Sequence, residues 1–150
     1  GVADSTRRAE LLDSILAHVN KVHAVPGAHE TLKALKERGF ILGIASSTMY
    51  PVEWKMAWLA AAGVAEFLDV VACSTALGVG KPHPVHYWTA LTKARLWPYE
   101  AAFVSNDDRE LVGAHQVGMV AVAVLCDPGI KADYHAETLP DLLNVPIFQR

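Results

Sequence analysis

Three short segments of this 150-residue chain carry side chains suited to gripping an anion. The first is Ile41-Leu42-Gly43-Ile44-Ala45-Ser46-Ser47, an apolar run that ends in two hydroxyls. Hydroxyls there, beside the free amides at the start of a helix, are placed to hold a phosphate oxygen. Ser47 or Thr48 would equally serve as an ordinary helix cap. The second segment is Gly78-Val79-Gly80-Lys81-Pro82-His83-Pro84. A loop lysine is ordinarily solvated, but Pro82 biases Lys81 toward an extended backbone. So held, Lys81 can be aimed at a phosphoryl group and offset its charge. The third segment runs from Ser105 through Asn106, Asp107, Asp108 and Arg109 to Glu110. Hard oxygen ligands at a strand end, here Asp107, Asp108 and Glu110, suit magnesium. A solvated turn with a helix-capping Asp accounts for the same residues.

The elements that must position these groups follow from hydrophobic periodicity. Asp4 or Ser5 caps a first helix with Leu11, Leu12, Ile15, Leu16 and Val19 at helical spacing. A second amphipathic helix spans residues 29–38 and ends at Gly39. Buried strands are expected at 40–45, 67–72, 101–104 and 119–125, and helices at 49–62, 85–95 and 111–117. Residues 74–84 read as a loop rich in Gly and Pro, and the tail after Asp127 as loop with one helical turn near 139–143. Alternating strands and helices predict an α/β fold, a three-layer doubly wound parallel sheet with four main strands. In such sheets ligands bind beyond the carboxyl ends of the strands, where all three segments fall.

Taken together, the segments resemble the haloacid dehalogenase superfamily from Val25 to Leu125, about two thirds of the chain. The Val-Pro-Gly turn, helix and apolar strand ending in Ser46-Ser47 are similar to its second motif, with Ser46 matching the phosphate-binding hydroxyl. Gly80-Lys81-Pro82-His83-Pro84 is similar to its third motif, with Lys81 matching the charge-stabilising lysine. The run from Phe103 to Met119 is similar to its fourth, the metal-binding segment. The resemblance implies attack on phosphorus by an Asp, proton transfer by a second Asp, and offset of charge by magnesium and Lys81. Two features depart from the pattern. No pair of Asp residues has the Asp-x-Asp spacing of the nucleophile motif, and Ser105 falls where the fourth motif has its first Asp, with Glu110 at the second carboxylate. The family's first strand, which lies between the strands ending at Ala45 and Val104, is also missing. Its loss opens a gap of roughly 10 Å. Closure of the two neighbours, insertion from a second copy, or a complementing N-terminal segment would each repair it; closure or self-association is the expectation. Residues 1–24 then resemble a cap remnant or linker, and residues 25–150 the core.

Composition narrows the function classes. The chain is 52% apolar and 19% charged with a net charge of −3, which is globular and shows no basic footprint for nucleic acid. Cys73 and Cys126 sit in apolar runs and read as buried free thiols of a cytoplasmic protein. No run reaches the ~20 apolar residues of a membrane span, and no signal peptide is visible. A start at Gly1 rather than Met reads as trimmed. His83 and His86, split by Pro84, read as surface or helix-start residues, Trp54 and Trp58 as packing, and Arg109 as solvated. The resulting expectation is a phosphohydrolase-type domain that holds a small phosphorylated substrate through Ser46, Ser47 and Lys81, with magnesium at Asp107, Asp108 and Glu110. Without its nucleophile it would be truncated or inactive. The alternative is a non-catalytic phosphate- or metal-binding or protein-interaction module, self-associating as a homodimer.

Overall fold

The computed structural model describes Asp4, Thr6, Arg7, Glu10, Leu11, Ser14, and residues 22–127 and 129–149. Those six early residues are helical; Ser5, Leu12, Ile15, Leu16 and Val19 of the expected first helix lie outside the described residues.

Helix α1, Ala28–Glu37, buries Ala28, Thr31 and Leu35. It ends where the Gly39 and Phe40 amides turn back to the carbonyls of Lys36 and Leu35. Strand β1, Gly43–Ser46, is shorter than the apolar run that suggested it. Just before it, the Asp69 carboxylate accepts from the Leu42 amide at 2.8 Å and from Lys36 Nζ at 2.7 Å. These two donors, Lys36 first, hold the Asp69 carboxyl below the usual carboxylate range. Helix α2, Val52–Ala61, starts three residues later than the expected 49–62. Pro51 sets that boundary: its ring disfavours helical backbone in the residue before it, and it has no amide to donate.

Strand β2, Val70–Cys73, runs directly into a single helical turn, α3, Ser74–Leu77, where a loop was expected. Helix α4, Pro84–Ala94, has Pro at its first position and the His83 ring accepting from the Val85 amide. Strand β3 is Ala102–Ser105. Helix α5, Asp108–Gln116, begins three residues earlier than its apolar face, because the Asp107 side chain caps it. Strand β4, Val120–Val124, is followed by a fifth strand, β5, Tyr134–Ala136, which the sequence reading assigned to loop. Three residues are too few to show a period.

All pairings are parallel, but the strands form two sheets. One is β1-β2, with Ile44 opposite Val71. The other is β3-β4-β5, with Phe103 opposite Ala121 and Ala123 opposite His135. The expected closure of β1 against β3 does not occur among the described residues. Closing it would push together two strands whose helices already pack at the spacing of a wider sheet.

Alternation along β3 and β4 separates two hydrophobic layers. Ala102, Val104, Val122 and Val124 face Leu35 of α1 and the C-terminal residues Leu142, Val145 and Phe148. Phe103, Ala121 and Ala123 face the other way, against Leu111 of α5. Tyr87 and Leu91 of α4 complete that layer with Ala114 and Met119. Among the described residues no helix is long and apolar enough to cross a membrane. Cys73 is buried and Cys126 only half-buried; both are free thiols.

Candidate active site

Strands β1, β2 and β3 each run into a serine at their carboxyl ends: Ser46, Ser74 and Ser105. Ser46 is buried. Ser74 Oγ accepts from the Thr48 amide and donates to the Thr48 carbonyl, both at 2.8 Å, which locks the turn after β1. Thr48 Oγ1 in turn accepts from the Tyr50 amide at 3.1 Å. Ser47 is not a helix cap, since α2 starts at Val52 with Pro51 before it. Its Oγ accepts instead from the Lys81 amide at 2.9 Å, across 34 residues of chain. That contact requires Gly80: a Cβ there would lie 2.9 Å from Ser47 Oγ.

Lys81 extends from this loop to a carboxylate. Its Nζ is 2.8 Å from Glu110 Oε2, with the two side chains 11% and 19% exposed. Ser105 Oγ donates to the same Glu110 oxygen at 2.8 Å and accepts from the Asp107 amide at 3.2 Å. The ammonium also lies 5.3 Å from the Phe103 ring centroid, within cation–π range. Ser47, Lys81, Ser105 and Glu110 are thereby joined in one network at the strand ends. Sequence reasoning placed each at a strand end but had no means of seeing the bonds between them.

Asp107 and Asp108 behave differently. Asp107 Oδ1 accepts from the Arg109 and Glu110 amides at 2.9 and 3.4 Å, and Oδ2 from Arg109 Nη2 at 3.2 Å. The Arg109 guanidinium, then the amides, hold the Asp107 carboxyl below its ordinary value. Asp108 is exposed on the first turn of α5. Among the described residues no three His, Cys, Asp or Glu side chains converge to hold a metal ion. Magnesium therefore does not fit these residues by themselves, for Asp107 is engaged as a cap and Glu110 by Lys81 and Ser105.

Two positioning residues escaped the sequence reading. Tyr87 is buried and donates from its hydroxyl to the Glu110 carbonyl at 2.8 Å. Burial above all, then the Glu110 and Asp107 carboxylates, pushes its pKa up to about 12. Gly113 lets α5 meet the lysine loop, since a Cβ there would lie 2.8 Å from both Pro82 Cβ and the Tyr87 hydroxyl. The Gly113-Ala114 pair inside a helical pattern was the available signal. His83 caps α4, as a helix-start residue. His86 is not at the surface: it is fully buried, with Nε2 3.2 Å from the Ala72 carbonyl. Its aromatic ring fills the seam between α4 and β2, and desolvation lowers its pKa. Trp54 and Trp58 form an aromatic group with Tyr50, as packing residues do. Arg109 is exposed and paired with Asp107.

Comparison with known proteins adds a family context. The profile of the haloacid dehalogenase-like hydrolases matches residues 4–124. A glyceraldehyde 3-phosphate phosphatase of Methanopyrus kandleri is 33% identical over 66% of this chain and 42% of its own length. A phosphoglycolate phosphatase of Mannheimia succiniciproducens is 28% identical over 73% and 47%. An (S)-2-haloacid dehalogenase 4A of Burkholderia cepacia is 32% identical over 78% and 50%. Among solved structures, a HAD phosphatase from Thermococcus onnurineus superposes with a TM-score of 0.72 at 28% identity, covering 80% of this chain and 56% of that one. A dehalogenase superposes with a TM-score of 0.78 at 28% identity, covering 91% and 62%. The chain spans about half the length of the curated relatives it matches.

Proposed function

The chain belongs to the haloacid dehalogenase-like hydrolase family, and from that premise we propose that it forms the anion-gripping part of a phosphohydrolase site. The observation that carries this reading is the bond from Lys81 to Ser47 at one end of its residue and to Glu110 at the other. It brings a fixed ammonium beside the hydroxyls that end β1 and β3.

In this reading Ser46 and Ser47 donate to phosphoryl oxygens, and Lys81 opposes the negative charge that grows as the phosphorus–oxygen bond breaks. Glu110 holds Lys81 in place until the anion arrives. A small phosphate ester, as handled by the relatives named as phosphatases, is the substrate class. No Asp-x-Asp pair is present in this sequence, so these residues bind and stabilise without an attacking group. Positioning alone supports little turnover. No step is assigned to a metal, because the described carboxylates are otherwise engaged.

The test is thermal unfolding of the chain with inorganic phosphate. A ligand at one hundred times its Kd stabilises by about 2.7 kcal/mol. We expect a rise in Tm that Ser46→Ala reduces and Lys81→Ala abolishes. A rise that both variants retain in full overturns the site. A second reading, a non-catalytic binding module, draws on the Lys81–Glu110 pair, which already neutralises the lysine. Phosphate binding without hydrolysis of any phosphate ester, in a polypeptide that does carry an Asp-x-Asp strand, would favour it.

A further inference from the structure

The gap between the two sheets has walls on every side. Among the described residues β1 pairs only with β2, and β3 pairs with β4 but with nothing on its other edge. The two open edges belong to strands running the same way, since the residues after β1 and β3 both reach Lys81 and Glu110 at one end. Leu42, just ahead of β1, shares a hydrophobic cluster with Ala102 and Val104 of β3, which closes one face. Helix α4 closes the other: it contacts β1 and β2, and its Tyr87 ring lies 5.2 Å from Phe103 on β3.

Burial marks the same place independently. Strands between two helical layers are ordinarily buried on both faces. Three of the four residues of β2 and four of the five of β4 are buried. In β1 only Ser46 is buried, and in β3 none is. Exposure is thus concentrated on the two strands that border the gap, although both are apolar.

We infer that this gap is a receptor for one parallel β-strand supplied from outside the described residues, bonded along both of its edges at once. The occupant is an extended peptide segment of four or five residues, apolar on both faces, because both layers above and below are apolar. Two strands flanking a third stand about 10 Å apart, which leaves room for one backbone and no more. This is strand addition with two rows of main-chain bonds rather than one. A second copy of this chain does not meet the requirement. Each of its described strands already has a bonded neighbour, whereas the occupant must be free on both sides. A carboxylate at the occupant's C-terminal end would emerge between Ser46 and Ser105, beside Lys81. The inference rests on the sheets and not on the phosphate reading, so either can fail without the other.

A synthetic peptide tests it: five alternating valines and isoleucines flanked by lysines, carrying a fluorophore. Two further peptides bear backbone N-methyl groups, one at odd positions and one at even positions. Successive amides of a strand point to opposite sides, so each methylation pattern blocks one edge. Binding is read by fluorescence anisotropy, and its location by hydrogen exchange of the whole chain. We expect rapid exchange of residues 43–46 and 102–105 in the chain alone, slowing about tenfold or more in both with the unmethylated peptide. Both methylated peptides should bind at least about tenfold more weakly, as loss of either row of bonds removes more than 1.4 kcal/mol. Weakening by only one pattern would show single-edge addition and overturn the inference. So would protection at Tyr134–Ala136 instead, protection that rises with protein concentration without peptide, strong protection of both strands in the chain alone, or no binding.

Discussion

At the scale of single residues, the site is a problem of charge and contact. Lys81 and Glu110 form a largely shielded pair, and such pairs gain little over an apolar alternative but are costly to break, because the survivor keeps its charge without a partner. Glu110→Ala should therefore destabilise by about 2–3 kcal/mol in urea unfolding, and Glu110→Gln by less, since an amide oxygen can still accept from Lys81 and Ser105. Equal losses in the two would contradict the ion-pair account. Gly113→Ala sets two effects against each other. Helix propensity favours Ala by about 1 kcal/mol, while a methyl group driven 2.8 Å from Pro82 Cβ and the Tyr87 hydroxyl costs about 1–3 kcal/mol. Overpacking should win, because the obstructing atoms are a proline and a buried ring, so the variant unfolds at lower urea; a gain in stability would mean that α5 moves freely from the loop. His86 supplies a pH dependence. Its folded pKa lies below the unfolded value of about 6.5, chiefly through burial, with the Ala72 carbonyl and the Glu110 carboxylate opposing. The unfolded chain therefore takes up the proton first as pH falls. The contribution is intact above about pH 6.5 and declines below it by at most about 1.4 kcal/mol per pH unit until the folded pKa is reached. His86→Gln should flatten that slope in stability measured from pH 7 downward; an unchanged slope would assign it to other groups.

At the scale of elements, short caps decide where the polar groups point. Helix α5 starts at Asp108 because Asp107 receives its first amides, and that start turns Glu110 toward Ser105 and Lys81. Asp107→Ala should speed amide exchange in residues 109–111 and loosen the Lys81 loop, and Asp107→Asn should restore much of the protection, as a good cap of the same shape. Equal exchange in the Ala variant and the parent would show that the ion pair, not the cap, fixes the first turn. Strand length matters in the same way. β1 and β3 each have four residues, enough to place one serine at the end of each but too few to stand alone without the helices packed on them.

At the scale of the whole molecule, helices and loops already hold a sheet that its described strands do not fill. The parallel α/β class, four of the five strands and the strand-end hydroxyls were legible in the sequence, because apolar runs bounded by glycines and serines report burial and chain reversal locally. Lys81 was legible as well, since Gly80 and Pro82 restrict the backbone on both sides. The start of α2 was misread past Pro51, a local signal given too little weight, and β5 was too short to carry a period. What the residues could not disclose in linear order is which of them meet. Asp107, Asp108 and Glu110 look like one acidic cluster in the sequence, yet a helix turn sends Glu110 to a lysine 29 residues earlier, while Asp107 turns back on its own backbone. Whether two strands close together or stand apart depends on how the helical layers pack across them. That is a sum of many long-range contacts, and only the tertiary structure contains it.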